Sequence, residues 1–505
     1  MRRNTLVFLT QGLRVITLVV AIVIFILNVF FCVTVSYDSQ ESVTIQPAFQ
    51  TGIISLVLIA AFFLGLIFLR KDLEKLDEKK LFLFFSILYC IAAGYFILNL
   101  DMILRADAKF VADTAMGLHL GDLESFRSGY LNRYPHQIGL VLYDALLDFY
   151  TQNHAIQFVM NLIFVLGTNY TLYLTSNLLF KDHFTTVLTI ILSFFFLPQL
   201  FFILFAYGNI PSFFFLLLAF YNLLKYRSTH SLKTMLVIFL SASVAVFLRK
   251  NTMIGVIAMI IFLLLDALKR YTNRHLILIV LLIVGTIFPS NIAYSYFAQK
   301  AGTEKAGIPT VLWIAMGTDI NNSVRGPGWY NRFSVSVYED VGKESDLAHA
   351  IGVQKLKENW SNIRKEPGRA IAFFRDKTIS QWCDPLYQSV WSGPLKEYDQ
   401  MVHTCLLESL YNCGIAERFA VFFCRIFAIA IWGFAVLFLL KDSAETTGWE
   451  LAFMFMIGGF LFQCFWEAKS QYIYQYVLGL VPFGAYSLSN GIKKMSSALL
   501  RKRNR

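Results

Sequence analysis

The chain alternates between long apolar runs and shorter polar connections. Twelve of the runs are apolar enough to cross a bilayer core as a helix, which takes about 20 residues. They predict membrane helices over 13–36, 50–69, 81–100, 155–180, 184–206, 209–225, 232–248, 252–268, 275–298, 418–440, 449–467 and 470–490. The first run is too long for a secretory signal and lacks a small-residue cleavage site, which favours a retained span.

Basic residues predict the orientation of these spans, because Lys and Arg concentrate at the cytoplasmic ends of membrane helices. Basic clusters precede the first run, separate the second from the third, and follow the sixth, the eighth and the last. With twelve spans and a cytoplasmic N-terminus, all of these clusters lie on the cytoplasmic side. The basic tail 493–505 is then cytoplasmic as well.

Two polar segments, 101–154 and 299–417, then face the extracytoplasmic side. The longer one combines mixed charge, several Trp residues and Pro-Gly turns, which is typical of a folded soluble domain. The shorter one ends in an amphipathic stretch, 137–150, that predicts a helix in the membrane interface. The predicted fold is therefore an all-α polytopic membrane protein with juxtamembrane helices and one extracytoplasmic domain.

Composition agrees with this class. Of the 505 residues, 57 % are hydrophobic and only 15 % are charged, whereas soluble domains have roughly 45–50 % and 25 %. A soluble enzyme, a disordered chain and a disulfide-rich scaffold are excluded. The net charge of +11 would suit nucleic acid, but its basic residues cluster at span ends, so we predict a lipid bilayer and no nucleic acid as partner.

The seven cysteines form no CxxC pair, which speaks against a zinc or redox site. Cys32, Cys90, Cys424 and Cys464 lie in apolar runs and are predicted to be core residues. If segment 299–417 is extracytoplasmic, Cys405 and Cys413 are the pair best placed to form a disulfide.

The segment after the third run is rich in aspartate. Asp101, Asp107 and Asp113 follow the apolar run within a few residues of Arg105. A carboxylate beside apolar bulk has a raised pKa and is a better general base. The alternative is a solvated loop whose aspartates cap helices.

Further along this segment, Tyr130, Tyr134, His136 and Gln137 stand close together. Aromatic rings can stack on a sugar, while imidazole and amide groups bond its hydroxyls. The alternative is an interfacial aromatic belt, which explains the tyrosines but not the His-Gln pair.

Charged residues also stand in two short connections. Arg249 and Lys250 would be extracytoplasmic, where they suit a phosphate at the lipid–water boundary; the alternative is snorkelling to headgroups. Glu467 and Lys469 form either an ion pair or the wall of a site. Arg425, inside a span, is a weaker case and could snorkel outwards.

Aromatic residues of segment 299–417 stand near glycine turns. They include Trp313, the Gly-Trp-Tyr sequence 328–330 and Trp382. They suit a carbohydrate-facing rim. Packing of the segment against the membrane surface explains them equally well.

Taken together, several stretches resemble a family. The stretches are 106–109 with 121–122, 129–137, 248–251, 313–317 with 328–331, 380–382 and 466–471. In this order they are similar to the GT-C superfamily of membrane glycosyltransferases, and within it to enzymes of Gram-positive bacteria that decorate cell-surface polymers.

The resemblance implies a sugar donor linked to a polyprenyl phosphate such as undecaprenyl phosphate, and a cell-surface glycan as acceptor. It implies an inverting displacement on the extracytoplasmic face with a loop aspartate as base. Asp107 best matches that aspartate, and Asp113 or Asp101 would be the alternatives. Family members often carry two adjacent acids, but Ala108 follows here, so Asp122 is a candidate for the second acid by motif alone.

Two other function classes stay open. A transporter or flippase of lipid-linked sugars would also combine many spans with charged outer loops, and a polysaccharide polymerase or ligase would use diphosphate-linked donors. The absence of a glycine-rich phosphate loop argues against ATP as the energy source. The sequence identifies no cofactor with certainty; so many acids would suit a divalent cation, but no ligand spacing demands a metal.

Overall fold

The computed structural model describes residues 2–36, 41–100, 104–151, 153–269, 273–304, 306–391, 393, 402–443 and 446–503. Asp101, one of the predicted alternative bases, lies outside these ranges. The first helices and the strands are α1 (Arg2–Phe30), β1 (Phe31–Val35), β2 (Val43–Pro47), α2 (Phe49–Leu73) and α3 (Glu78–Leu98). Short helices follow: α4 (Ala106–His119), α5 (Glu124–Arg127), α6 (Tyr130–Arg133) and α7 (Ile138–Asp148).

The middle of the chain forms longer helices. They are α8 (Ala155–Phe180), α9 (His183–Phe195), α10 (Pro198–Phe201), α11 (Asn209–Thr229), α12 (Leu232–Leu248), α13 (Met253–Lys269) and α14 (Asn273–Lys300). The polar segment contains α15 (Thr310–Gly317), α16 (Phe333–Asp340), α17 (Ser345–Lys365), α18 (Pro367–Trp382) and α19 (Cys405–Tyr411). The last helices are α20 (Ile415–Leu437), α21 (Trp449–Phe465), α22 (Tyr474–Gly479) and α23 (Val481–Arg503).

The protein is a helical membrane protein by the length and composition of these helices. Among the described residues, seven segments are long and apolar enough to cross a membrane: Phe8–Phe30, Phe49–Leu73, Glu78–Leu98, Ala155–Phe180, Lys250–Leu268, Asn273–Lys300 and Ile415–Asp442. The pair His183–Phe195 and Pro198–Leu204, bent by 49°, would make an eighth.

The prediction of twelve spans is therefore too high. Every predicted run contains helix, but α12 and α21 have 17 residues each. At 1.5 Å per residue they reach about 26 Å, less than the roughly 30 Å of a bilayer core. Helix α11 ends with Lys225 and Arg227, and α23 ends in the basic tail.

The first predicted run is also wrong at its end. Helix α1 stops at Phe30, and the β-branched and aromatic sequence Phe31–Val35 forms a strand. It pairs antiparallel with β2, so that Val33 lies opposite Ile45. The hairpin is held at both edges, because Val33 N donates to Cys383 O at 3.0 Å and Val43 N donates to Arg325 O at 2.8 Å.

Arg425 does not snorkel. Its guanidinium is 3 % exposed and donates to the carbonyls of Asn28, Val29 and Ala48 at 3.2, 3.1 and 2.8 Å. These carbonyls lie where α1 and α2 meet the hairpin, so Arg425 ties α20 to that junction.

The helix predicted over 137–150 is present as α7, with one face packed into the protein. Leu140, Val141 and Leu147 are buried, whereas Leu146 is exposed. At Gly139 the backbone of α12 comes so close that a β-carbon would lie 1.9 Å from Phe247 O. The helix is therefore fixed against α12.

The polar segment folds into helices with small apolar clusters of their own. One of these joins Leu312 of α15, Tyr338 of α16 and Ala348 of α17. Cys405 and Cys413, predicted as a disulfide pair, are free and exposed thiols. Of the cysteines predicted as core residues, Cys32 and Cys424 are buried, but Cys90 is exposed.

Candidate active site

Four polar connections meet at one end of the helix bundle. Asp107 comes shortly after α3, Tyr207 follows the bent pair of helices, Arg249 ends α12 and Glu467 follows α21. Their side chains are joined by the contacts described below. The connections at 101–154, 249–250 and 467–469 thus lie at one end of the bundle.

Asp107 stands in the first turn of α4 and is half-buried. Its Oδ2 accepts a hydrogen bond from the Tyr207 hydroxyl at 3.1 Å. Desolvation by the surrounding protein raises the pKa of Asp107, while Lys469, the Tyr207 hydrogen bond and Arg249 oppose the rise. The preceding residue, Ala106, has a left-handed φ of 49°. Such backbone strain in a non-glycine residue is concentrated at functional sites.

Tyr207 is the centre of a buried hydrogen-bond group. Its hydroxyl lies 3.1 Å from the Tyr130 hydroxyl and accepts from Gln137 Nε2 at 2.8 Å. Both Tyr130 and Gln137 were predicted to contact a sugar. In the structure they instead hold the tyrosine that bonds Asp107, which is a positioning role.

Arg249 is 9 % exposed and does not reach out as the snorkelling alternative required. Its Nη1 donates to Tyr207 O at 2.6 Å. The guanidinium carbon lies 4.6 Å from the ring centroid of Tyr207 and 5.6 Å from that of Tyr472. Two aromatic faces and one carbonyl therefore hold the cation beside the tyrosine that bonds Asp107.

His136 lies close to this cation. The residue is exposed, yet desolvation by the neighbouring protein, together with the charges of Lys250 and Arg249, lowers the pKa of His136. The imidazole is therefore neutral near pH 7, with one nitrogen as donor and one as acceptor. This is the state in which it can bond a sugar hydroxyl or a phosphate oxygen.

Lys469 is the centre of an ion-pair group next to Asp107. Its Nζ lies 3.2 Å from Glu41 Oε2 and 3.9 Å from Glu467 Oε1, and Arg325 Nη1 lies 3.8 Å from the same Glu41 carboxylate. Burial raises the pKa of Glu467 to about 7, against the opposing charge of Lys469. Glu467 and Lys469 therefore form an ion pair and also border the site, so both predicted alternatives apply to them.

Buried polar groups fix the turn that carries Glu467. Lys377 donates to Gly317 O at 2.6 Å, Cys464 O at 3.1 Å and Trp466 O at 2.6 Å. Asp384 accepts from Ser470 Oγ at 2.6 Å, and burial raises its pKa to about 6. Segment 299–417 thus reaches the site through α18 and the turn that follows.

Aromatic rings line the side of the site that faces segment 299–417. The ring centroid of Tyr134 lies 6.2 Å from that of Trp313 and 6.2 Å from that of His136. Trp313 lies 6.4 Å from Tyr330 and 6.2 Å from Trp466. Four of these rings, Tyr134, Trp313, Tyr330 and Trp466, are partly accessible.

Two predicted acids lie elsewhere. Asp113 is exposed on α4. Asp122 is exposed beyond the far end of that helix, where its carboxylate accepts from Glu124 N at 2.8 Å. Asp122 N donates to Gly117 O at 2.8 Å, so Asp122 belongs to the turn that follows α4. Since α4 rises about 1.5 Å per residue, Gly117 and Asp122 stand roughly 15 Å from Asp107.

The described part of the chain contains no group of three or more His, Cys, Asp or Glu side chains that could hold a metal ion. Glu41, Tyr207, Lys377 and Arg325 were missed by sequence reasoning. The sequence offers one indication for Glu41, which is an acidic residue in a short connection between apolar segments.

No protein-family model matches the chain, and no curated protein matches it either. The chemistry is therefore argued from the site. A half-buried carboxylate of raised pKa, a buried guanidinium and a row of accessible aromatic rings share one end of the bundle. This combination can accept a proton, stabilise an anion and bind an apolar ring face.

Proposed function

We propose that the protein is a GT-C-type membrane glycosyltransferase that moves a sugar from a polyprenyl-phosphate carrier to a cell-surface glycan. One observation carries the proposal: Tyr207 bonds Asp107 through its hydroxyl and Arg249 through its carbonyl and ring. Tyr207 thereby contacts both the carboxylate of Asp107 and the guanidinium of Arg249. Proton acceptance and anion stabilisation are the two tasks of this transfer.

In the proposed step, an acceptor hydroxyl oxygen attacks the anomeric carbon of the donor sugar. The bond from that carbon to the phosphate oxygen breaks, and its electron pair stays on the phosphate. The hydroxyl proton moves to the carboxylate of Asp107. Attack opposite the leaving group inverts the anomeric centre, and polyprenyl phosphate departs as an anion.

Asp107 suits the role of general base. Desolvation raises its pKa, and a base whose pKa is closer to the working pH accepts a proton more readily. Lys469 and Arg249 oppose the rise, which favours the ionised carboxylate that the step requires.

Arg249 suits the role of the residue that binds the leaving phosphate. The developing charge on the leaving phosphate would meet a guanidinium already held by Tyr207 and Tyr472. Preorganised charge of this kind is a large source of rate acceleration. Lys250 and the neutral ring of His136 flank the same position and would complete the phosphate and sugar contacts.

The proposed sidedness counts the bent pair as the eighth span, since an even number of spans leaves both termini on one side. It places both termini in the cytoplasm of a Gram-positive type cell and the active site on the extracytoplasmic face. Connections at the other end of the bundle support it, since they carry the basic clusters. There Arg227 pairs with Asp266 at 3.2 Å, and Lys493 pairs with Asp182 at 2.5 Å. Undecaprenyl phosphate is the carrier expected on the outer face of such a cell membrane.

The test is donor turnover by the purified chain in nanodiscs, supplied with undecaprenyl-phosphate sugars and a cell-wall glycan fraction. We expect release of undecaprenyl phosphate from the wild type and from Asp113→Asn, but not from Asp107→Asn. Asp113→Asn is the matched control because it removes an exposed carboxylate from the same helix. Equal release from all three chains would reject Asp107 as the base.

Two outcomes would replace the proposal by the alternative classes. Movement of the lipid-linked sugar across sealed vesicles without release of undecaprenyl phosphate would identify a transporter. Turnover of diphosphate-linked donors alone would identify a polymerase or ligase.

A further inference from the structure

Four aromatic side chains from separate parts of the chain are joined by ring contacts through Trp313. We call this group the aromatic platform: Tyr134, Trp313, Tyr330 and Trp466. Trp313 is central, with centroid distances of 6.2 Å to Tyr134, 6.4 Å to Tyr330 and 6.2 Å to Trp466. Its ring plane lies within 24° of that of Tyr330 and within 21° of that of Trp466. All four rings keep part of their surface accessible.

The platform is rigid because its supporting backbone is locked. Trp329, next to Tyr330, is fully buried, and its Nε1 donates to Ser380 Oγ at 2.9 Å. Lys377 holds the carbonyl of Trp466 at 2.6 Å. Gly317 lies so close to Trp466 that a β-carbon there would come within 2.4 Å of its carbonyl oxygen.

The segments that carry Tyr330 and Trp466 are also joined directly. Ala468 N donates to Gly328 O at 2.9 Å, and Trp329 and Ala468 form an isolated parallel bridge. Because three locked segments contribute the rings, their relative positions are set before any ligand arrives. Preorganisation of this kind reduces the entropy lost on binding.

One side of the platform adjoins the proposed reaction centre. Tyr134 packs edge-to-face against His136 at 6.2 Å. Burial raises the pKa of both Tyr134 and Tyr330, and the negative charge of Asp107 contributes to each rise. Asp107 therefore lies within electrostatic reach of rings at two parts of the platform.

The platform also has a polar border. The guanidinium of Arg325 lies 5.6 Å from the ring centroid of Tyr330 and pairs with Glu41. Glu467 directly follows Trp466 in the chain and approaches Lys469. Ring faces bordered by charged hydrogen-bonding groups suit a ligand with an apolar face and a polar rim.

We infer that the aromatic platform is the acceptor subsite and that it binds a glycan chain over at least two sugar units. This inference rests on the proposed function. A pyranose ring offers one face of C–H groups for stacking and a rim of hydroxyls for hydrogen bonds. The centroids of Tyr330 and Trp466 each lie more than 6 Å from that of Trp313, so the platform offers separate rings to more than one such sugar. The acceptor is then an oligosaccharide or polymer end, and its terminal hydroxyl would point towards Asp107.

The test measures binding of tetrasaccharides and monosaccharides by titration calorimetry in detergent. The probes are chitotetraose and cellotetraose against N-acetylglucosamine and glucose. We expect a tetrasaccharide to bind at least about tenfold more tightly than its monosaccharide, and Trp313→Leu to remove that difference. Trp360→Leu is the matched control, since Trp360 is an exposed tryptophan on α17.

Equal affinity for tetrasaccharides and monosaccharides would overturn the inference, as would equal behaviour of Trp313→Leu and Trp360→Leu. If Trp313→Leu fails to fold, Tyr330→Leu takes its place, because it removes a ring from the border of the platform. Unchanged tetrasaccharide binding by Tyr330→Leu would also overturn the inference.

Failure of the subsite and failure of the proposed function give different results. If no donor is turned over but tetrasaccharide binding depends on Trp313, the glycosyltransferase proposal falls and the glycan site stands. If Trp313→Leu transfers sugar as fast as the wild type, the subsite falls and the glycosyltransferase stands.

Discussion

The hydroxyl of Tyr207 donates to Oδ2 of Asp107 at 3.1 Å, although 100 positions separate the two residues. The backbone carbonyl of the same tyrosine accepts from Arg249 at 2.6 Å. One residue therefore contacts both a carboxylate and a guanidinium that belong to different connections. The following variants test the consequences of this arrangement.

Asp107→Asn is expected to lower the rate of transfer by at least a factor of about 100, because general-base catalysis contributes about 10²–10⁴. The amide has nearly the same shape and cannot take the proton. Donor turnover in nanodiscs measures the loss, and the melting temperature of the variant shows whether the fold is kept. A folded variant with wild-type turnover would contradict the role of Asp107.

Tyr207→Phe is expected to move the acid limb of the pH–rate profile to higher pH. The Tyr207 hydrogen bond lowers the pKa of Asp107, so removing it raises that pKa further and leaves less carboxylate at neutral pH. A hydrogen bond to a charged group contributes roughly 1.5 kcal/mol or more, which corresponds to about one pH unit. Activity should recover at high pH.

The control for this variant is Tyr130→Phe. Tyr130 bonds the hydroxyl of Tyr207 and not the carboxylate, so its loss should shift the limb less. Identical profiles for the wild type and Tyr207→Phe would show that Asp107 is not the group that controls the acid limb.

Arg249→Ala is expected to reduce kcat/KM for the lipid-linked donor by roughly 10- to 100-fold, since charge-assisted hydrogen bonds contribute about 1.5–3 kcal/mol. Arg249→Lys should recover part of the loss, because it restores the charge but not the planar fork. Arg418→Ala, which removes an exposed arginine of α20, serves as the control. If Arg249→Ala uses the donor as the wild type does, the phosphate is bound elsewhere.

Lys377→Met is expected to lower the free energy of unfolding by about 3 kcal/mol, because one buried and two partly buried carbonyls lose their donor. Thermal denaturation measures the effect, and Lys365→Met, an exposed substitution, is the comparison. The turn that carries Glu467 should also loosen, so the thiol of Cys464 should react faster with a maleimide. Unchanged stability and labelling would show that the ammonium does not hold the turn.

Part of the site could be predicted because charged side chains at membrane depth cost free energy. Such residues are therefore candidates for a functional role. That rule singles out Asp107, Arg249 and Glu467, and the structure brings these three connections together. It also singles out Arg425, which instead holds backbone carbonyls. The rule identifies residues whose placement costs free energy. It does not distinguish a functional site from a structural contact such as that of Arg425.

Other members of the site could not be predicted, for physical reasons. Glu41 reaches Lys469 only because β1 and β2 pair as antiparallel strands, and the strand sequence Phe31–Val35 continues an apolar run without a break. Tyr207 is one of 24 tyrosines, and no local pattern distinguishes it. Lys377 lies on a polar helix, where a lysine is normally solvated.

The number of spans was overestimated because composition does not distinguish lipid from protein as surroundings. Helix α21 has many buried side chains, among them Phe453 and Met456. An apolar run packed against other helices has the same sequence signature as one that faces acyl chains. Only its length of 17 residues indicates the difference.

The assembly of the site from several helix ends makes it sensitive to bilayer thickness. Asp107, Tyr207 and Arg249 each follow a different helix, and a mismatch between helix length and hydrocarbon thickness is relieved by tilting. Helices of different length tilt by different amounts, so their ends move relative to one another along the membrane normal. A displacement of about 1 Å would already stretch the bond between Tyr207 and Asp107 past hydrogen-bonding distance. Turnover by the proposed glycosyltransferase should therefore pass through a maximum as the acyl chains of the lipid are lengthened, and bilayer thickness would then regulate the reaction.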